Sequence, residues 1–301
     1  MRARTLAAFT IAPHRFSYGY YRQTWWNWLI GSAFFFGEIG AGLFLTSILT
    51  GHWLGMVSGY LVVVVGKNAA HLLYVGRPER FWRAALRPDR SWIARGIWAT
   101  GVFAVAGFLS LFPRVLEPYW HFGTQSELLI AFLAGLSAFF IMFYDGFVMK
   151  ASRSIPFWYT PLLPVLCITY ASLGGTTLSL TLRELSGESV PALLVKAEYF
   201  LLVVNLLLLA IYLFRMSRWA PAARESVGLL LRGAYAFAFL GLVLLVGLVG
   251  TLLLSIVHSW TDWTWLVVLV ATCELTGDFA LLMVLLKSGL FSPQTAPAYQ
   301  A

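Results

Sequence analysis

The chain has 301 residues, of which 59% are hydrophobic and 11% charged, with a net charge of +8 and a mean hydropathy of +0.77. A water-soluble protein of this size cannot bury so much apolar surface, so the composition excludes a soluble domain and indicates a polytopic membrane protein. In such a protein the positive charge reflects topology and contact with anionic membrane lipid rather than binding of nucleic acid.

Eight apolar segments, each long enough to cross a membrane, follow one another along the chain. We predict spans at approximately 26–50, 53–75, 92–112, 126–148, 159–181, 192–214, 228–256 and 263–287. Because the connections are short, we expect an all-α bundle in a single transmembrane domain, residues 25–290. A segment at the membrane surface, 1–24, precedes this domain, and a C-terminal tail, 291–301, follows it.

The distribution of Lys and Arg over the loops indicates the topology. With eight spans both termini lie on one side, which takes 17 of the 21 Lys and Arg; the opposite side takes three, and Lys67 lies within a span. The positive-inside rule therefore predicts cytoplasmic termini in the inner membrane of a prokaryote.

Spans 1 and 2 carry ionisable residues at mid-membrane depth. A charge in hydrocarbon costs about 2.5–3.5 kcal/mol or more, so such residues are functional candidates. Glu38 and Lys67 lie at similar depth, and we expect them to form an ion pair that offsets this cost. His71 lies one turn from Lys67 on the same helix face. A purely structural ion pair and a structural histidine are the alternatives.

Four arginines follow span 2 and fall on one side of a predicted short helix: Arg77, Arg80, Arg83 and Arg87. Its other side carries Phe81, Trp82, Ala85 and Leu86. Basic residues among aromatic ones can bind nucleic acid, but beside a membrane span this pattern predicts an interfacial helix with its apolar face down. Its arginines either anchor the bundle to anionic headgroups or dock a partner subunit.

The later spans add polar residues whose depth can be compared. Asn27, His71, Tyr144, Asp145 and Asp278 project to one membrane half, Glu38, Lys67 and Glu274 lie deeper, and Glu198 lies toward the opposite half. This distribution predicts a polar pocket open on one side. Quinone chemistry needs such a pocket, with hydrogen-bond partners for two oxygens, groups that pass two protons and an apolar slot.

The electrons for such chemistry must come from elsewhere. Haem would need facing pairs of intramembrane histidines, and only His71 lies clearly within a predicted span. Cys167 and Cys273 are too few for an iron–sulfur cluster and are predicted to be small buried hydrophobes. The sequence thus predicts no metal, haem or iron–sulfur cluster in this chain.

Several motifs resemble the NrfD-like family, the membrane subunits of polysulfide reductase and related molybdenum enzymes. The strongest is HLLYVGRPERFWRAAL followed by RSWIARG, between spans 2 and 3; GEIGAGLFL in span 1, YDGFVMKASRSIPFWYTPLLP after span 4 and ELTGDFALLMVLLKSG in span 8 support it. The resemblance covers approximately residues 25–290. The sequence departs from the family pattern at Tyr74 and Val75, where an Asp-Leu pair is common, and at Asp145 and Asp278.

The resemblance implies a haem-free, eight-helix subunit that binds menaquinone or ubiquinone. It also implies two partners, an iron–sulfur subunit of the four-cluster ferredoxin type and a catalytic subunit that is often molybdopterin-dependent. The family's quinone-site tyrosine corresponds to Tyr144, and polar residues at the start of span 1 correspond approximately to Asn27. In several relatives the pocket side faces the periplasm, which leaves the compartment of the basic loops open.

Together these observations predict a subunit that exchanges electrons between the quinone pool and an iron–sulfur partner, and that is not catalytic alone. Tyr144 and Asn27 hold the quinone oxygens, with His71 and Asp278 nearby, and His71 or Asp145 relays protons. Glu38, Lys67 and Glu274 extend a proton path inward. The alternatives are an ion or solute transporter, against which the lack of an inverted repeat argues, and a structural anchor without a quinone site.

Overall fold

The computed structural model describes residues 20–116, 123–261 and 263–292, with only the backbone given for 113–116. Eight helices in this part are long and apolar enough to cross a membrane, which confirms the predicted all-α polytopic bundle. Spans 1 to 8 are Trp28–Leu49, Trp53–Val75, Trp92–Phe112, Thr124–Lys150, Leu162–Leu185, Ala192–Trp219, Phe237–Thr261 and Thr264–Lys287. Residues 1–19 of the predicted surface segment and 293–301 of the predicted tail lie outside the described residues.

The predicted start of span 7 at residue 228 is wrong. The structure has a separate helix there, Pro221–Leu231, and span 7 begins at Phe237. Pro221 starts this helix at a position where its missing N–H costs nothing. Val227 and Leu230 are buried against the bundle, whereas Arg224 is exposed. The apolar residues read as the start of a span are therefore the buried face of an amphipathic helix.

Spans 1, 5 and 8 form the centre of the bundle. In their most apolar windows 72%, 67% and 56% of the residues are buried, against 22–33% in the other five spans. Spans 1 and 5 approach closely through glycine, because a Cβ on Gly42 would overlap the carbonyl oxygen of Ala171, and one on Gly175 would meet the backbone of Gly42. The functional side chains of these central spans are thus held in the best-packed part of the molecule.

Span 2 changes its winding near its middle. Trp53–Leu61 is α-helical, Val62–Lys67 is a π-helical turn, and Asn68–Val75 is α-helical again. The span ends at Gly76, whose φ of 69° is a left-handed conformation that suits glycine. A π turn rotates the following residues relative to a regular helix and is frequent at functional sites. Lys67, the last residue of this turn, is buried inside the bundle.

The predicted interfacial helix between spans 2 and 3 is present as a 3₁₀ helix, Pro78–Ala85. With three residues per turn, Arg80 and Arg83 continue the row that begins at Arg77, whereas Arg87 lies beyond the helix. All four arginines are exposed. The indole of Trp98 in span 3 donates a hydrogen bond to the carbonyl of Ala85, 3.0 Å away, and so fixes the end of this helix.

The end of the bundle that carries these basic loops is closed by a short strand pair. Strand β1, Tyr21–Arg22, pairs antiparallel with β2, Leu290–Phe291, just after span 8. Gln23 continues this connection, since its side-chain amide donates to the carbonyl of Leu286 at 2.9 Å. The chain that enters span 1 is therefore fixed to the end of span 8. This side of the bundle is called the basic end below.

Candidate functional site

A cavity of about 610 Å³ lies between spans 1 to 4 toward the basic end. Its walls are mainly apolar and include Ile30 and Phe34 of span 1, Ile93 and Ile97 of span 3, and Val148 of span 4. This volume and lining are typical of a small-molecule site, in which few polar groups orient a largely apolar ligand.

The deepest polar pair in the cavity wall is formed by Lys67 of span 2 and Tyr144 of span 4. The Lys67 Nζ donates to the Tyr144 hydroxyl at 2.7 Å and lies 4.3 Å from the centroid of its ring. Both side chains are buried. Because the tyrosine oxygen accepts from the ammonium group, the hydroxyl keeps its own proton for a second partner.

Asp145 lies behind this pair and does not line the cavity. It is fully buried, and its Oδ1 lies 3.9 Å from the Lys67 Nζ. Neither of its oxygens accepts a hydrogen bond from a residue that the structure describes. Lys67 therefore stands between a cavity-facing hydroxyl and a buried carboxyl group, where a proton lost on one side can be replaced from the other.

His71 adds a second proton-transfer group nearer the basic end. Its Nδ1 lies 3.1 Å from the carbonyl oxygen of Lys67, and the ring lines the cavity. A carbonyl can only accept, so Nδ1 carries a proton and Nε2 of the neutral ring is an acceptor. The cavity thus combines a tyrosine donor at depth with a histidine acceptor one turn closer to the surface.

Arginines line the mouth of this cavity. Arg77 and Arg80 belong to the lining together with Phe81 of the same 3₁₀ helix, whereas Arg83 and Arg87 do not. The predicted docking row therefore has two parts. One part borders the entrance, and the other lies farther along the chain, outside the lining.

Two of the residues predicted to contact a quinone lie elsewhere. Asn27 caps span 1, its side-chain oxygen accepting from the backbone N–H of Leu29 at 3.0 Å, and it is absent from the cavity lining. Asp278 lies beside Glu274, and both face Gly174 of span 5. A Cβ placed on Gly174 would be 3.3 Å from the Asp278 Oδ2 and 3.4 Å from the Glu274 Oε1. Asp278 was predicted from depth, and Asn27 from depth and from the family resemblance; neither specifies which way a side chain faces around the bundle.

The expected Glu38–Lys67 ion pair is replaced by another in the described residues, where Lys67 pairs with Asp145. The backbone of span 1 beside Glu38 is nonetheless close, since a Cβ on the preceding Gly37 would lie 2.8 Å from the Lys67 Nζ. Sequence depth placed these groups at one level, but the closer partner comes from span 4. Among the described residues no three His, Cys, Asp or Glu side chains converge as metal ligands.

Sequence reasoning missed the glycine that supports Tyr144. A Cβ on Gly96 would overlap the Tyr144 ring, so span 3 leaves room for this ring only because residue 96 has no side chain. Gly96 is the last residue of RSWIARG, a motif that carried only the family resemblance. The signal available in the sequence was a glycine in a span that faces a tyrosine-bearing neighbour.

Comparison with known families identifies the chain. The family model described as polysulphide reductase, NrfD, matches residues 17–293. The match covers nearly the whole chain, so the protein belongs to the NrfD family, as the sequence motifs predicted. It is a multi-pass membrane protein of the kind that serves as the membrane subunit of polysulfide reductase-like oxidoreductase complexes. No curated protein matches the chain.

Proposed function

We propose that this NrfD-family chain is the haem-free, quinone-binding membrane subunit of a respiratory oxidoreductase complex. The cavity between spans 1 to 4 would hold the quinone, and the chain would not be catalytic alone. The observation that carries this proposal is the 2.7 Å contact between the Lys67 Nζ and the Tyr144 hydroxyl in the wall of a mainly apolar cavity.

The cavity fits a menaquinone or ubiquinone head group in size and chemistry. Its volume of about 610 Å³ suits a bicyclic or monocyclic ring, and its mainly apolar walls suit the first part of an isoprenoid tail. When bound, the quinone supplies the redox chemistry, taking up two electrons and two protons on reduction and releasing them on oxidation. The electrons pass to or from an iron–sulfur partner.

The chain's own residues would bind the head group and move protons. Tyr144 donates its hydroxyl proton to one oxygen, and Lys67 stabilises the negative charge that develops on the tyrosine when this proton leaves. Nε2 of His71 exchanges a proton nearer the mouth. Asp145 would reprotonate Lys67, whose Nζ lies 3.9 Å from its Oδ1, and Lys67 would in turn reprotonate Tyr144. Asn27 and Asp278 stay predictions as quinone contacts, and neither of them lines the cavity.

Glu38, Lys67 and Glu274 would form the inner proton path. Lys67 is the link to the cavity, and Glu38 follows it toward the centre of the bundle. Glu274 lies deeper, in span 8, beside Asp278. Each is buried, and a buried ionisable group is retained most readily where it has a function.

The basic end would receive the partner subunits. Arg77, Arg80, Arg83 and Arg87 are exposed on one loop and would dock a four-cluster ferredoxin-like iron–sulfur subunit, which in turn carries a catalytic, often molybdopterin-dependent subunit. Docking above the cavity mouth keeps the electron path to the quinone short. The charge distribution supports a cytoplasmic basic end in a prokaryotic inner membrane.

Replacement of Tyr144 by Phe tests this proposal in the assembled complex. We expect quinol turnover to fall roughly 10²-fold, because the substitution removes a proton donor, while the complex still assembles. Tyr212→Phe is the matched control, since this tyrosine also makes a 2.7 Å hydrogen bond, to the carbonyl of Phe157, but lies outside the cavity lining.

Turnover and quinone binding that survive Tyr144→Phe unchanged would remove this residue from the site. A complex that assembles but contains no quinone reactive with this chain would support the structural-anchor alternative. Solute uptake by liposomes that hold this chain without partners would support the transporter alternative.

A further inference from the structure

Buried carboxyl groups continue beyond the proposed inner path. Asp145, Glu38, Asp278, Glu274 and Glu198 come from spans 4, 1, 8, 8 and 6, and none has more than 6% of its surface exposed. Of these five, only Asp145 has a described ion-pair partner, Lys67. Carboxyl groups without cationic partners are costly in a membrane protein core, so a series of them requires an explanation beyond packing.

The depths of these groups extend from the basic half of the membrane to the opposite half. At 1.5 Å per residue, Asp145 lies about 8 Å from the end of span 4, Glu38 about 15 Å into span 1, and Glu274 about 20 Å from the end of span 8. Glu198 lies only about 9 Å from the opposite end of span 6. The series therefore crosses the membrane rather than gathering at one level.

Cys167 connects the first two carboxyl groups. Its Sγ would lie 3.1 Å from a Cβ placed on Gly146, the residue after Asp145, and Cys167 lines one small cavity together with Glu38. Span 5 thus supplies a bridge between Asp145 of span 4 and Glu38 of span 1.

A small cavity of about 20 Å³ separates Glu38 from Asp278 and is lined by both. That volume holds a single water molecule. The Glu38 Oε1 and the hydroxyl of Tyr170, another lining residue, are buried without a hydrogen-bond partner in the described residues. A water here would have the polar partners that it requires, and it would bridge the gap between spans 1 and 8.

Beyond this gap the carboxyl groups meet side chains of the opposite half. Asp278 and Glu274 are adjacent, both within 3.4 Å of a Cβ placed on Gly174. One turn further along span 5, the Thr177 hydroxyl donates to the Glu198 Oε1 at 3.3 Å. Span 5 therefore contacts the two carboxyl groups of span 8 at Gly174 and Glu198 of span 6 at Thr177, which marks the route from span 8 to span 6.

The last step reaches the opposite surface. Tyr199, next to Glu198, donates to the carbonyl of Ser255 at 3.1 Å, one turn before His258 of span 7. The Nε2 of His258 lies 2.9 Å from the Glu184 Oε1. The side chains of His258 and Glu184 are 21% and 25% exposed, so this pair is the end of the series that solvent can reach.

We infer that Glu198, with Thr177, His258 and Glu184, connects the quinone cavity to the surface opposite the basic loops. This inference rests on the proposed quinone site and adds the side from which its protons come. Protons would pass between the cavity and that surface through Asp145, Glu38, one water, Asp278, Glu274 and Glu198. Quinone turnover would then move charge across the membrane.

The test uses the whole complex, purified through a tag on this chain and reconstituted in liposomes. A membrane-permeant quinol is the donor, and ferricyanide, which does not cross the membrane, accepts one electron at a time from the iron–sulfur partner. Only complexes with an outward basic end then turn over. Each quinol releases two electrons to two ferricyanide ions and two protons, and we expect those protons to acidify the lumen, as read by trapped pyranine.

Glu198→Gln should slow turnover at least about tenfold. The turnover that remains should not depend on the pH of the lumen, and the protons that it releases should appear outside the liposomes. Gln keeps the shape and the contact with Thr177, so the fold is expected to survive; Glu198→Asp should restore part of the lumen acidification. Glu188→Gln is the matched control, a 47% exposed carboxyl at the same end outside the series, and should behave as the unmodified complex.

Two results would overturn the inference in different ways. If turnover is abolished by Tyr144→Phe but protons appear outside in the unmodified complex, the quinone site stands and the path is wrong. If the unmodified complex itself shows no quinol-dependent turnover, the proposed function fails and the path fails with it. If the Glu198→Gln complex does not assemble, Thr177→Val tests the same step of the path. Lumen acidification that Thr177→Val leaves unchanged would then contradict the path.

Discussion

The two ends of the bundle differ in how their charged side chains are paired. At the basic end the loop after span 2 carries five arginines but only two acidic residues between Gly76 and Ser91, and its arginines are exposed. At the opposite end Arg183 lies 3.6 Å from the Glu188 carboxylate and donates to the carbonyl of Thr50 at 2.9 Å. His258 and Glu184 form a second pair there.

This difference distinguishes charged groups that stabilise the fold from charged groups that are available to bind a ligand or a partner. At the opposite end Arg183 and His258 are paired with carboxylates of the same chain. The basic end leaves positive charge on its surface and, below it, a buried lysine in contact with a cavity. Surplus charge of one sign around a cavity steers and orients a partner of opposite charge.

The largest effect should come from removal of the buried lysine. Lys67→Met leaves Asp145 buried without its cation, which should cost about 3–5 kcal/mol of unfolding free energy. The double variant Lys67→Met/Asp145→Asn should recover much of this loss, because no charge is left unpaired. Glu188→Gln at the opposite end should cost about 1 kcal/mol or less, since its carboxylate is half exposed.

Reversible unfolding in mixed micelles measures these free energies. A Lys67→Met variant that is no less stable than Glu188→Gln would show that the two ends do not differ as the structure indicates.

The second effect concerns the shape of the cavity wall. Gly96→Ala places a methyl group on the Tyr144 ring and should displace the hydroxyl from Lys67. We expect quinol turnover to fall about tenfold or more, since small displacements at a reacting group are costly. Gly228→Ala is the control, because no atom lies within 4 Å of the added methyl group. Equal turnover of the two variants would argue against a role for this wall.

The third effect concerns docking at the basic end. Arg83→Glu reverses an exposed charge that does not line the cavity, so it should weaken binding of the iron–sulfur subunit without altering the pocket. We expect retention of the partner on a tagged chain to fall at low salt and the difference to diminish at high salt. Lys196→Glu reverses an exposed charge at the opposite end and should have no effect on retention. Loss of the partner with both variants would contradict a specific docking surface.

The smallest effect is a pH dependence at the opposite end. His52 lies between spans 1 and 2, and burial, together with the positive charge of Arg183, lowers the pKa of its imidazole below the ordinary value of 6.5. The folded chain therefore binds this proton less readily than the unfolded chain. Stability contributed by neutral His52 is present above pH 6.5 and is lost as the pH falls below it.

His52→Gln removes this titration. The melting temperature of the unmodified chain should fall between pH 7.5 and 5.5 by more than that of the variant, so the gap between them should change over this range. A constant gap would show that His52 does not contribute to the pH dependence.

The sequence predicted the candidate groups better than their partners. Tyr144, His71 and Lys67 were selected by residue type and depth, and the structure brings all three to one cavity. Asn27 was selected in the same way and instead caps a helix. Depth along a helix follows from counting residues, whereas the direction around its axis depends on packing and on the π turn that ends at Lys67.

The hydrocarbon core restricts which residues can occur at each depth along the membrane normal, and this restriction can be recognised from the sequence alone. It requires eight apolar segments, places charged loops at their ends and makes each buried ionisable residue exceptional. Contacts between helices depend instead on which small residues allow close approach, such as Gly42 against Ala171 and Gly96 against Tyr144. Only the tertiary structure could therefore decide that Lys67 pairs with Asp145, and that Thr177 donates to Glu198.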